Sequence, residues 1–155
     1  MECSGVAGVV SMGVLTDFVV VDRAEAQRVA NSAYPSREFK GIDAKGIDIV
    51  KAGMLHALLA RQPYDLSFVT RQLMIESDDD DERCAFELPL DFVQSLASLD
   101  ALQIKDVAAK WLEMAFSPKF DNWGLADVEV LLIELSALCQ RAVREHKVVL
   151  MWMCP

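Results

Sequence analysis

"VVLMWMC", residues 148–154, closes the chain one residue short of its end. It is β-branched, aromatic and apolar throughout, the composition of a strand buried on both faces. It is far shorter than the roughly 18 apolar residues a membrane-spanning helix needs. The other end of the chain carries its counterpart, "VLTDFVVV", residues 14–21. These are the two most apolar strand-sized runs. Side by side in the centre of one sheet they bury each other, and the rest of the chain must cover them.

Working inward from the C-terminal strand, the longest periodic segment is a helix over about 124–146. Leu125, Val128, Leu131, Leu132, Leu135, Leu138, Cys139, Ala142 and Val143 recur at helical spacing. Acids gather at its start (Asp121, Asp127, Glu129) and bases at its end (Arg141, Arg144, Lys147), in agreement with the helix dipole. Val130, Ile133 and Ala137 form a second apolar side, so this helix is expected to be covered on more than one face. Asp100 and Gln103 have capping-box spacing and open a helix over about 101–116, which Ser117-Pro118 stops. Pro89 suits a first helical position, and Phe92, Val93, Leu96 and Ala97 give one face to a helix over about 90–98.

Nearer the N-terminal strand, Asp22 and Glu25 fit a capping box for a helix over about 23–32. "YPSREFKG" reads as a loop. From Ile47 the apolar positions take helical spacing again, giving a helix over about 48–61 with Asp48 as its cap and Pro63 beyond its end. Residues 65–76 begin as a helical or irregular turn and finish as a strand over about 71–76. "CAFEL" alternates as a strand over about 84–88, and "SDDDDER" between them suits a hairpin tip. The class is therefore α+β: a small mixed sheet of about four strands (about 14–21, 71–76, 84–88 and 148–153) packed with about five helices. Residues 1–12 read as a flexible N-terminal extension to a single globular domain over 13–155.

"KGIDAKGIDI", residues 40–49, says nearly the same thing twice. A phosphate loop needs clustered glycines followed by Lys-Ser/Thr, whereas here Gly41 and Gly46 are each followed by Ile-Asp. The doublet reads as a junction into a helix, with Asp43, Lys45, Asp48 and the nearby His56 as candidates for lining a polar pocket. The longer stretch "GIDAKGIDIVKAGMLHALLARQ" resembles a segment of the YfbM-like family of small uncharacterised bacterial proteins. There an Asp-Lys stretch leads into a helix carrying a Leu-His pair, matched here by Asp43, Lys45, Leu55 and His56. "SLASLDALQI" and the closing strand follow in similar order. Gly46 and Gly53 depart from the family pattern, which has bulkier residues there. The resemblance spans about a third of the chain and implies an architecture but no activity.

The run Asp78, Asp79, Asp80, Asp81 and Glu82 is the sharpest local feature. It lacks the spaced ligands and glycine of a calcium loop, so it reads as a solvated tip able to attract a basic partner. Cys3, Cys84, Cys139 and Cys154 form no CxxC pair, and the two histidines, His56 and His146, are far apart. No metal site is expected, and the bland reading is free thiols in a reducing cytoplasm. No basic n-region opens the chain. No GxSxG and no Ser-His-Asp set is legible. Trp111, Trp123 and Trp152 suit the core better than a cavity. The net charge of −9 opposes binding to nucleic acid or anionic membrane and favours a basic protein. No cofactor is implied.

These readings favour a non-enzymatic acidic protein-binding module, inhibitor- or immunity-like, that uses the 78–82 tip. The alternative is a small-molecule binder or small enzyme with its pocket at the start of the 48–61 helix. Self-association through exposed apolar surface is a third possibility.

Overall fold

The structure is a computed structural model and describes residues 14–79 and 82–155. The expected N-terminal extension, residues 1–12, lies outside them, as do Asp80 and Asp81. The first and last strands, β1 (Leu15–Val21) and β5 (Val148–Cys154), run antiparallel side by side, in register from Leu15 opposite Cys154 to Val21 opposite Val148. Both are buried along nearly their whole length, as their uninterrupted apolar character requires. The two-residue strand β2 (Ile42–Asp43) pairs with the free edge of β1. The hairpin of β3 (Ile75–Glu76) and β4 (Cys84–Glu87) joins the free edge of β5. The order is β2-β1-β5-β4-β3, and every neighbouring pair is antiparallel.

The class is α+β as expected, but the sheet has five strands rather than about four and is antiparallel rather than mixed. The extra strand, β2, is too short to show a period-two pattern. The expected strand over 71–76 shrinks to its last two residues, because Ser67–Arg71 forms the short helix α4. The N-terminal helix over 23–32 is a 3-10 turn (Arg23–Glu25) followed by α1 (Ala26–Asn31), and Asp22 makes no side-chain cap. Glu25 instead takes Arg28 at 2.8 Å. The segment expected as a loop holds a one-turn helix, α2 (Pro35–Glu38), whose proline occupies the first turn, where its missing N–H costs nothing.

Four longer helices cover one face of the sheet: α3 (Ile49–Ala60), α5 (Leu90–Ala97), α6 (Ala101–Ala115) and α7 (Leu125–Glu145). Phe18, Val20, Phe86, Val149 and Met151 point into this layer and meet Leu55, Leu96, Trp111, Leu132 and Leu135. Each fully buried Leu stabilises by about 2 kcal/mol relative to exposure. The other face packs Val19, Val21, Leu150 and Trp152 against Ala26, Val29 and Ala30 of α1. α6 starts with the capping box read from the sequence: Asp100 accepts from Gln103 N and Gln103 returns the bond, at 2.8 and 2.9 Å. Cys84 and Cys139 are free thiols. Cys154 is disulfide-bonded, which corrects the expectation that all the thiols are free. Among the described residues no helix is long and apolar enough to cross a membrane.

Candidate functional site

The doublet lies along the open edge of β1. Gly41 N donates to Ser36 O, and a Cβ at Gly41 would stand 2.1 Å from the Phe18 carbonyl oxygen, so only glycine lets the chain approach this closely. Beyond β2 the ladder continues from Ala44 N to Thr16 O and from Gly46 N to Val14 O, each at 2.8 Å. Gly46 turns the chain with φ +95°, a left-handed conformation that side chains resist. Ile47 is buried, its carbonyl accepts from Thr16 Oγ1 at 2.6 Å, and Asp48 caps α3 by accepting from Lys51 N at 2.8 Å. Both glycines thus serve the junction expected from the sequence.

The polar side chains of the same junction face outward. Asp43, Lys45 and Asp48 line one wall of an open groove of about 920 Å³. The facing wall comes from the loop after α6 and the first turns of α7: Phe120, Asp121, Trp123, Asp127, Val130 and Glu134. Five carboxylates therefore meet two lysines, and one of those, Lys51, is already engaged. Its Nζ lies 3.2 Å from Asp121 Oδ1 and 3.7 Å from Asp48 Oδ2, over the Phe116 ring. Backbone holds Asp121 as well, which accepts from Ser117 N at 2.6 Å, and one further acid, Asp127, which accepts from Gly124 N at 2.8 Å. Trp123 rests on Phe116, with ring centroids 5.8 Å apart, while Phe120 beside it is 75% exposed. Trp111 and Trp152 are in the core, as expected, whereas Trp123 is a groove residue.

His56 does not join Asp43, Lys45 and Asp48. It points from α3 toward α5, where Nε2 meets Asp91 Oδ2 at 2.9 Å and the ring packs between Phe68 and Phe92. Helical geometry explains the separation: Asp48 caps the first turn, and His56 follows about two turns later on a side facing other helices. His146 caps the C-terminus of α7 in a left-handed conformation.

The acidic run does lie in the β3–β4 connection. Asp78, Asp79 and Glu82 are exposed, and the backbone N–H groups of Asp78 and Asp79 are tied to Asn31 Oδ1 and Ser77 Oγ. The sheet order places this connection at the edge opposite Asp43. The tip and the groove are therefore separate features, about four strand spacings (roughly 19 Å) apart across the sheet. Among the described residues no group of three or more His, Cys, Asp or Glu side chains is placed to hold a metal ion.

The sequence pointed to only one wall of the groove. Asp121 and Asp127 were legible as helix-dipole acids, but nothing in spacing joins 43–48 to 121–134. Carboxylates around the exposed Phe120 ring and the half-buried Trp123 ring suit an organic cation, which gains both charge pairing and a π face.

No family model and no curated protein matches the chain. Among solved structures it weakly resembles that of YfbM from Escherichia coli, a protein of unknown function. The two share 13% identity over 90% of this chain and 99% of the other, with a TM-score of 0.48.

Proposed function

We propose that this chain is a non-enzymatic binding protein whose groove holds a cationic side chain, lysine or arginine, of a basic partner protein. One observation carries the reading: Asp43, Asp48, Asp121, Asp127 and Glu134 line the groove together with the half-buried Trp123 and the exposed ring of Phe120, and among the described residues Lys45 is the one groove lysine without an ion pair. Among the described residues the groove lining offers no histidine, thiol or hydroxyl for nucleophilic or acid–base work. Pre-set carboxylates favour this role, because they need little reorganisation when the cation arrives.

The test is an NMR titration of the full chain with an arginine-rich peptide, and separately with phenethylammonium. The amides of Lys45, Gly46 and Asn122 should shift, less so at high salt, and Asp43→Asn together with Trp123→Leu should weaken binding about tenfold. Amides that stay put at millimolar peptide would refute the reading. Shifts with phenethylammonium alone would assign the groove to a small amine instead.

A second reading keeps the tip as the docking site for a basic protein, supported by the exposure of Asp78, Asp79 and Glu82 at the far edge. Charge reversal there should abolish capture of that partner and leave the groove titration unchanged.

A further inference from the structure

The outer face of α7 does not match its expected burial. Val130 and Ile133 are 53% and 55% exposed, and Ala126 and Ala137 are exposed on the same side. Positions 126, 130, 133 and 137 follow helical spacing and make one apolar stripe directed away from the core, which lies on the side of Leu131, Leu135 and Ala142. The sequence pattern anticipated a covering element, and no described segment of the chain supplies one.

The charges beside the stripe are ordered. Glu129 and Glu134 flank it before Ala137, and Arg141 and Arg144 flank it after. Glu129, Glu134 and Arg144 take part in no ion pair among the described residues, and Arg141 has only a long 3.9 Å approach to Glu145. A face that is acidic in one half and basic in the other is complementary to itself when turned end for end. It is also locally neutral in a chain of net charge −9, so two copies can meet there without the repulsion the rest of the surface imposes.

From this we infer that α7 pairs antiparallel with α7 of a second copy, across a two-fold axis near Ala137. That axis sets Val130 opposite Arg144 of the second copy and Ile133 opposite its Arg141, with the small Ala137 at the crossing, where the helices come closest. Glu134 then reaches Arg141 of the second copy, and Glu129 its Arg144. Each contact occurs twice, as an isologous interface requires. The aliphatic stems of Arg141 and Arg144 cover Ile133 and Val130 of the other copy, and the charges fix the direction, since a parallel pairing would oppose like charges. Val130 and Glu134 also line the groove, so the paired face borders it, but the inference rests on the stripe and its charges, and Asp43 and Trp123 lie outside the paired face.

Sedimentation velocity of the full chain, from tens to hundreds of micromolar, is expected to show a doubled mass. Glu129→Arg/Glu134→Arg gives an all-basic face and Arg141→Glu/Arg144→Glu an all-acidic one. Each variant alone should be monomeric, with dimerisation weakened at least about tenfold, and an equimolar mixture should recover the dimer. Ile133→Asp, an exposed position, should keep the fold by circular dichroism and remain monomeric. A monomeric wild type over this range, variants that dimerise alone, or a mixture that stays monomeric would each overturn the inference. A wild-type monomer that binds an unrelated helix through this face counts among those outcomes.

Discussion

His56 Nε2 stands 2.9 Å from Asp91 Oδ2, joining the middle of α3 to the first turn of α5. The ring is packed between Phe68 and Phe92, whereas the carboxylate is mostly exposed. Burial acts to raise the Asp91 pKa, but the hydrogen bond and charge of His56, with backbone N–H groups, outweigh it and hold the carboxyl below its usual value. A depressed carboxylate pKa stabilises the fold above the ordinary carboxylate value, and that stability is lost as pH falls through the depressed one. Asp91→Asn should cost about 0.5 kcal/mol near neutrality, because the exposed carboxylate is screened. It should also flatten the acid limb of the stability curve. Urea unfolding at stepped pH measures both, and a curve that coincides with wild type at every pH would show that the pair contributes nothing.

Gly41→Ala should be the most damaging single methyl in the doublet. Its Cβ would stand 2.1 Å from Phe18 O and 2.6 Å from Val19 Cγ1. Backbone cannot step aside there without breaking the β1–β2 pairing, so a loss of about 3 kcal/mol is expected. Gly46→Ala meets only Trp123 Nε1, at 3.2 Å, and suffers mainly from its positive φ, with a loss of about 1 kcal/mol. Denaturant midpoints of the two variants should fall in that order.

The parts of the fold legible in advance were those with a local physical signature. α6 and α7 announced themselves by periodicity and by charged or capping ends, and the paired terminal strands by unbroken apolar runs. β2 was hidden because Ile42 and Asp43 pair by virtue of Gly41 fitting against β1, a tertiary fact. α2 was hidden because one turn around Pro35 has no period to detect. The groove was half legible: Asp43, Lys45 and Asp48 are adjacent in sequence, but Trp123 and Glu134 reach them only through the packing of α7. His56 lies apart from Asp43, Lys45 and Asp48 because closeness in sequence to Asp48 says nothing about which side of α3 it occupies.

Cys139 should be chemically silent in the native protein. It is fully buried on the core side of α7, and burial pushes its thiol pKa up to about 12. The thiolate is the reactive form, so both access and ionisation oppose reaction. Cys84 is partly exposed, and its pKa is raised by burial and by the charge of Glu76. Iodoacetamide at mildly alkaline pH should therefore label Cys84 slowly and Cys139 only on unfolding, as read by peptide mass mapping. Prompt native labelling of Cys139 would mean that the α7 core opens readily.

Asp17 is a carboxylate placed where a strand buries its side chains. It lies in β1 between Asp43 on one neighbouring strand and Trp152 on the other, and it is only 6% exposed. Burial raises its pKa, the Ser36 N–H at 2.7 Å and the Ser36 hydroxyl partly offset this, and the charge of Asp43 raises it further. The sign is opposite to that of Asp91. With the folded pKa above the unfolded one, the folded state holds the proton more tightly, so ionised Asp17 costs stability at every pH above its raised value. That cost is relieved as pH falls through the raised pKa toward the ordinary carboxylate value. Asp17→Asn keeps an oxygen to accept from Ser36 and removes the charge. It should therefore stabilise the protein near neutrality by on the order of 1 kcal/mol, with the gain vanishing in acid. Thermal unfolding at neutral pH and again below the ordinary carboxylate pKa measures the difference. A variant less stable than wild type at neutral pH would mean that the ionised carboxylate, held by Ser36, is a net support of the β1 edge.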